Sequence, residues 1–412
     1  MCDFAGGQAI ALWPREGPAA GVAWRALESV LKQYGGRVRR NLDNFPGGAA
    51  PPVWKGGAPS RLSDRGRKFL TSPFQVYLLS VPHGEELSFV EQVRGAYVDE
   101  AVRDADAVRQ LADRDQRLAV SPNWRLHPAA GVPEAVTAPF ALGANHAEYL
   151  KRIGLMNASA NDAAGITVAV LDNGFDPAFW LKAPPNPPIS SGQDLIAGDT
   201  SSSGHGTLVA ALIASSAPAA NIVPIRMAGT ESTEWDALHA LACAVDFGAD
   251  VVTFSYRQIL ADDKPCKECG LVRTGARSEV FARMIEWASN NGDRAILAAA
   301  GNDGIGSVAR PAAYRGAIPV AALDSRGTAL WSRSNWDARN LLNVLAMPGE
   351  HVAASADGTS YSGTSFATGY AAALFAVAMS RGLAENAFEI MMKLLTTYSF
   401  TRVSNASVPR LM

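Results

Sequence analysis

Gly165-Ile-Thr-Val-Ala-Val-Leu171 is a continuous apolar run without the alternation of a half-exposed strand. Such a run fits a strand covered on both faces. Comparable stretches recur at Asn221–Met227, Ala249–Tyr256, Arg294–Ala300 and Gly316–Ala322. Helix-period sequence falls between several of them, at Gly206–Ser215, Thr233–Phe247 and Ser278–Asn290. The rhythm predicts an α/β fold, a parallel sheet with helices on both faces. Chemistry in such folds collects beyond the carboxyl ends of the strands. The polar residues that follow each run are therefore the ones to weigh.

Asp172 directly follows the first run, in Leu171-Asp-Asn-Gly174. Asp-Asn-Gly is also good turn chemistry, so a turn alone would explain it. His205 lies between glycines in Ser203-Gly-His-Gly-Thr207, at the start of an Ala-rich helix. Asn302 follows Leu297-Ala-Ala-Ala-Gly301, again at a strand end. Ser365 sits in Gly358-Thr-Ser-Tyr-Ser-Gly-Thr-Ser-Phe-Ala-Thr-Gly369, just before the apolar run Tyr370–Met379. That arrangement predicts a tight turn feeding a core helix, with the Ser365 hydroxyl near free N–H groups and the positive end of the helix dipole. A helix-capping serine would look the same in isolation. A nucleophilic serine needs a base beside it, and His205 is the candidate. Each residue has a bland explanation alone; the four together do not.

In this order along the chain, Asp172, His205, Asn302 and Ser365 resemble the subtilisin-like serine proteases, the subtilases. Val170-Leu-Asp-Asn-Gly-Phe-Asp176 is similar to their aspartate motif and Gly204-His-Gly-Thr207 to their histidine motif. Ala300-Gly-Asn-Asp303 resembles the oxyanion-hole motif, and Gly363-Thr-Ser-Phe-Ala-Thr368 the nucleophile motif. The resemblance covers roughly residues 140–385 and implies a subtilisin-like parallel sheet flanked by helices. It further implies a serine endopeptidase acting on protein or peptide substrates. Ser365 would attack the scissile carbonyl, His205 would move the proton, and Asp172 would fix the His205 tautomer. The Asn302 amide and the Ser365 backbone N–H would stabilise the oxyanion. Ser255, Tyr256 and Arg257, with Ala300 and Gly301, are the expected substrate-binding residues.

The chain also departs from the family. Gly369 stands where a proline is usual, four residues after the nucleophile. Arg257 stands where the substrate-pairing strand usually has glycine. Its cation would favour an acidic substrate side chain, plug a subsite or point to solvent. Cys266-Lys-Glu-Cys269 is half of a four-ligand zinc site with no second pair following it. No metal or cofactor is therefore expected, and the two thiols read as free or as a labile loop disulfide.

With 412 residues, 48% of them hydrophobic, the chain can build one large domain and a smaller one. Residues 1–71 read as an N-terminal extension of unknown role. They hold helical periodicity at Ala23–Tyr34, a Gly/Ala/Pro-rich stretch at Pro46–Pro59 and two Arg-rich clusters. Residues 72–127 read as a small α+β unit, with a strand at Gln75–Val81, helical sequence over Ser88–Leu118 and an extended segment at Leu118–Leu126. This unit resembles, more weakly, the inhibitory prodomain of many subtilases. Residues 128–146 read as a linker and 147–412 as the catalytic domain. The net charge of −2 offers no electrostatic case for nucleic acid or an anionic membrane. No run approaches the length of a membrane span, and no secretory signal is apparent, so the expected place is the cytoplasm. Two functions of different class follow. One is a serine endopeptidase held latent by its own N-terminal region; the other is a catalytically silent or gated binding module built on the same cleft.

Overall fold

The computed structural model describes residues 4–42, 73–104, 113, 117–128, 140–172, 193–194, 204–227, 232–258, 277–290, 294–338, 344–355, 360–383, 387, 389–390, 399–403 and 406–410. The chain opens with β1 (Phe4–Pro14), α1 (Pro18–Tyr34), β2 (Arg37–Asn41), β3 (Phe74–Ser80), α2 (Glu86–Val102) and β4 (Ala119–Pro128). Pro18 starts α1 where its missing N–H costs nothing. Gly35 ends it at φ 62°, with the Gly36 N–H on the Leu31 carbonyl. The strands pair in the order β4-β1-β3-β2, all antiparallel, forming a β-α-β-β-α-β unit.

β1 is apolar on both faces because both are covered. Ala9, Ala11 and Trp13 pack with Val22 and Leu27 of α1 and with Phe89 and Val93 of α2. Trp13 stacks on Tyr77 of β3, with centroids 4.5 Å apart and planes 5° from parallel. Ile10 and Leu12 join Phe74, Val76 and Leu78 in a core that continues into the larger part of the chain.

That part contains β5 (Phe140–Leu142), α3 (His146–Arg152), β6 (Thr167–Asp172), β7 (Gln193–Asp194), α4 (His205–Ser216) and β8 (Asn221–Arg226). It continues with β9 (Ser232–Thr233), α5 (Glu234–Asp246), β10 (Val251–Phe254), β11 (Tyr256–Gln258), α6 (Glu279–Asn290) and β12 (Ala295–Ala299). The last elements are β13 (Ala317–Leu323), β14 (Leu345–Pro348), β15 (Ala353–Ser355), β16 (Ser360–Tyr361), α7 (Thr364–Ser380), β17 (Ser399–Val403) and β18 (Ala406–Arg410). Nine strands lie in the order β17-β18-β14-β13-β12-β10-β6-β8-β7, parallel throughout except for the β17–β18 edge pair. The α/β expectation thus holds, and each predicted strand lies within two residues of an observed one.

The continuous apolar strands follow from burial on both sides. Val168 and Val170 of β6 pack with Leu208 and Leu212 of α4 and with Phe366 and Phe375 of α7. Ala169 and Leu171 face the opposite core, with Trp235 and Leu238 of α5 and Phe281 and Ile285 of α6. From β6 the chain first adds β8 on one side and then β10 on the other. The strand order reverses there, so a crevice opens beyond the carboxyl ends of β6 and β10.

Three expectations change. The boundary between residues 71 and 72 does not separate two units, because β1 is the central strand that pairs with both β3 and β4. The short, Gly-interrupted start of β1 hides a strand whose partners lie far along the chain. The expected linker to residue 146 also ends early, since β5 pairs with β15 from Phe140. Finally, the helix expected over Ser88–Leu118 stops at Val102, without a capping glycine or proline. Arg37, Arg39 and Arg40 lie on β2, an exposed edge strand, where charge discourages pairing with another chain. The stretches Pro46–Pro59 and Arg61–Lys68 lie outside the described residues. Among the described residues no helix is long and apolar enough to cross a membrane.

Gly369 lies inside the fully buried stretch of α7, against α4. A methyl group there would meet the Val209 carbonyl at 3.4 Å and its Cγ1 at 3.5 Å, which is ordinary contact. Alanine propagates a helix better than glycine by about 1 kcal/mol. Gly369→Ala is therefore expected to raise stability by up to about 1 kcal/mol, read as a higher midpoint in denaturant. A loss of stability would show that α4 and α7 need the closer approach.

Candidate active site

Asp172 ends β6, and its backbone carbonyl takes the Met227 N–H at 2.9 Å, the continuation of the β6–β8 pairing. The buried strand delivers its carboxylate to the crevice with no exposed surface. His205 is the first residue of α4, after Gly204. Its Nδ1 lies 2.8 Å from Asp172 Oδ1 and 3.0 Å from Oδ2. One ring nitrogen is thereby committed to the carboxylate, and Nε2 is left for another partner. The imidazole also packs against the Phe366 ring, with centroids 5.5 Å apart.

Ser365 is the second residue of α7, so its backbone N–H is one of the four that a helix start leaves unpaired within the helix. Asn302 follows β12 and is fixed by the residue before Ser365. Its Oδ1 accepts from the Thr364 N–H at 3.0 Å and from Thr364 Oγ1 at 2.9 Å. Thr364 Oγ1 in turn accepts from the Gly301 N–H at 3.3 Å. The Asn302 amide group is thereby turned so that Nδ2 points away from Thr364.

Among the described residues, His205 Nε2, Ser365 Oγ and Asn302 Nδ2 are buried side-chain atoms without a hydrogen-bond partner. What sets these three atoms apart is that their residues are fixed by neighbours, His205 by Asp172 and Asn302 by Thr364, which adjoins Ser365. The set comprises a hydroxyl, an imidazole nitrogen backed by a carboxylate, and an amide donor. Chemically it can activate a hydroxyl and stabilise an oxyanion.

The other expected site residues are placed differently from one another. Ser255 is fully buried between β10 and β11. Tyr256 and Arg257 lie on β11, and this strand already has a partner. Tyr256, Arg257 and Gln258 pair antiparallel with Pro128, His127 and Leu126 of β4. Arg125 and Leu126 pair on the other side with Thr233 and Ser232 of β9. The end of β4 thus runs between β9 and β11. The Ala300 N–H bonds the Val320 carbonyl and its own carbonyl takes the Ala309 N–H, while Gly301 bonds Thr364 and Asn335. These two residues brace the loop that carries Asn302.

Arg257 neither points freely to solvent nor lies unpaired in a subsite. Its Nη2 donates to Asp303 Oδ1 at 2.7 Å, with side chains 19% and 31% exposed. Asp303 is held from the other side by Asn335, whose Nδ2 donates to Oδ2 at 3.1 Å and whose Oδ1 takes the Asp303 N–H at 2.8 Å. Asp303, Asn335 and Thr364 escaped the sequence reading as site residues. Thr364 adjoins Ser365 and was within reach, whereas Asn335 has no local signal. Cys266 and Cys269 lie outside the described residues.

A sequence model of the subtilase family matches residues 163–407, more than half of the chain. The chain belongs to the subtilase family. Among curated proteins, this subtilase is 28% identical to a thermophilic serine proteinase of Bacillus sp. strain AK1 over 241 residues, covering 53% of either chain. It is 27% identical to Mycosin-3 of Mycobacterium tuberculosis over 302 residues, covering 57% of this chain and 62% of that protein. It thus spans between half and two thirds of the length of these relatives. Among solved structures it is similar to a cold-adapted subtilisin-like serine proteinase, with 22% identity and a TM-score of 0.48 over 62% of this chain and 93% of that one.

Gly301 adopts φ +110°, and a Cβ there would lie 2.4 Å from Asn335 Nδ2. Gly301→Ala therefore combines backbone strain with a clash against the side chain that positions Asp303. A destabilisation of about 1–3 kcal/mol is expected from the backbone alone, measurable by denaturant unfolding. An unchanged midpoint would show that this loop relaxes freely.

Proposed function

We propose that this subtilase is a serine endopeptidase that uses Ser365 as nucleophile, His205 as general base and acid, and Asp172 as its orienting carboxylate. The observation that carries this reading is the buried trio of open groups, Ser365 Oγ, His205 Nε2 and Asn302 Nδ2, with the opposite His205 nitrogen held by Asp172. Ser365 Oγ adds to the scissile carbonyl carbon as its proton passes to His205 Nε2. The carbonyl oxygen, now negative, takes hydrogen bonds from Asn302 Nδ2 and the Ser365 N–H. His205 then protonates the leaving amine, and water enters by the reverse route to free the acid. The Ser365 and His205 side chains make no hydrogen bond to each other here, and such a contact forms as substrate tightens the geometry.

The substrate is an extended protein or peptide segment. An extended chain can pair with the main chain of β9 and β11, as the end of β4 does here. We further propose that β4 holds the enzyme latent by occupying that place. The whole 4–128 unit then acts as an intramolecular inhibitor, tethered through residues 129–139. A tether keeps effective concentration on the order of millimolar, so modest affinity suffices.

A fluorophosphonate probe tests the chemistry. Labelling is expected at Ser365 in chains freed of the N-terminal unit, and Ser365→Ala and His205→Ala are each expected to abolish hydrolysis with the fold intact. Asn302→Ala should lower kcat by roughly 10²–10³, the magnitude established for such a donor in subtilisin. Retention of most activity in Ser365→Ala would overturn the assignment. Incubated wild-type protein should acquire a new N-terminus within or near 129–139 that Ser365→Ala does not. A full-length chain that stays uncut and fully active would overturn latency.

Specificity provides a further test. Asp303 now neutralises Arg257, so wild-type enzyme should show little preference for acidic substrate residues. Asp303→Asn frees the guanidinium to grip a carboxylate, and a several-fold gain on acidic members of a peptide library is expected. An unchanged profile would put Arg257 off the substrate path.

A further inference from the structure

Glu234 is the first residue of α5 and has no exposed surface. Its carboxyl lies where four elements meet. Oε1 accepts from Ser278 Oγ, just before α6, and from Ser121 Oγ of β4 at 3.4 Å. Oε2 accepts from Gln258 Nε2 of β11 at 3.2 Å. The two serine hydroxyls lie 3.2 Å apart. Beyond them, Tyr314 OH takes the Ser278 N–H at 2.9 Å and donates to Gln258 Oε1 at 3.0 Å.

Among the described residues none of these partners is a cation, and no ion pair reaches Glu234. Nearby charged groups have other partners: Glu286 of α6 pairs with Arg315, Arg94 of α2 donates to the Val120 carbonyl, and Arg277 and Arg310 line a cavity that reaches Ser278 and Tyr314. Arg257 of β11 pairs with Asp303, and Arg125 of β4 donates to the Phe4 carbonyl. Arg283 of α6 donates to the Arg117 carbonyl and lies over Phe74, while Glu279 is exposed. Arg310 lies against the Tyr314 ring at 6.0 Å. Asp236 of α5 is held by Thr233 in a capping box.

We propose that Glu234 is a proton-linked latch: its neutral carboxyl lets β4 of the N-terminal unit close over the starts of α5 and α6, and its ionisation loosens that closure. The helix start and the hydroxyl donors favour the charged form. Burial without a counter-charge disfavours it more strongly. The outcome is a Glu234 carboxyl pushed up to about 8 by burial, against the lowering by the Ser278 and Ser121 hydrogen bonds. Ser121 belongs to β4. When β4 leaves, water reaches the carboxyl, which returns to an ordinary glutamate value of roughly 4.3.

The sign follows from linkage. The closed form binds one more proton than the open form between those two values, so its advantage is complete below the lower one and is lost as pH rises toward about 8. The dissociation constant of the N-terminal unit should rise about tenfold per pH unit over that range and level off above it. The consequence for activation, release toward alkaline pH, rests on the latency reading; the proton linkage does not.

The test uses the full chain carrying Ser365→Ala, with a specific cleavage site placed in 129–139 and cut after folding. The affinity between the two pieces is measured from pH 5.5 to 8.5, and calorimetry in buffers of different ionisation enthalpy counts protons. About one proton taken up on association at pH 6.5 and a tenfold weakening per unit are expected. Glu234→Gln should take up none and show a dissociation constant nearly independent of pH. A flat profile in the parent, or an equal slope in Glu234→Gln, would overturn the latch. If Glu234→Gln does not fold, Ser278→Ala serves instead. It removes a donor to the carboxylate and should move the upper bend to higher pH, and an unmoved bend overturns the proposal. Because the readout is binding, an uncut chain found fully active would sink latency while leaving this measurement intact.

Discussion

A helix with no exposed residue from Thr364 to Ala378 can exist only inside a protein that covers it on every side, and this burial organises the rest. α7 lies against α4 and against the strands that carry Asp172 and precede Asn302. Its first turn therefore arrives at the crevice at a fixed depth. Thr364 then locks that turn to the Asn302 loop through two hydrogen bonds to one amide oxygen. The start of α7, with Ser365, and the Asn302 loop are thus held together through Thr364, a contact that itself depends on the apolar packing behind it.

The N-terminal unit depends on the same logic from the opposite face. Its sheet has α1 and α2 on one side, and on the other it shares a continuous apolar core with α5 and α6. Each large apolar side chain in such a core contributes roughly 1.5–3 kcal/mol. That shared core seats β4 so that its end pairs with β9 and β11. Hydrophobic burial holds the unit's sheet against α5 and α6, and main-chain pairing fixes the register of β4 between β9 and β11.

Two buried carboxyls show how environment sets chemistry. Asp172 and Glu234 are both without exposed surface, one at a strand end and the other at a helix start. Asp172 meets an imidazole that can carry charge, whereas Glu234 meets only hydroxyls and an amide. In the first, both carboxylate oxygens lie within 3.0 Å of one ring nitrogen, which fixes the imidazole. In the second, burial without a cation pushes the Glu234 carboxyl up.

The sequence by itself determined the parallel sheet and the family. Strands buried on both faces must be continuously apolar, a local pattern, and the four polar residues that follow strands or open helices stood out through the motifs they share with the subtilases. The structure brings Asp172 onto His205 and Asn302 onto Thr364, next to Ser365. Tertiary structure alone decided that β1 joins β3 and β4, that Arg257 is neutralised by Asp303, and that Glu234 lies under Ser121. Each of these pairs is separated by tens of residues or more along the chain. Pairing across such distances follows from which faces are left uncovered once the sheets form, a property of the assembled core that no local pattern records.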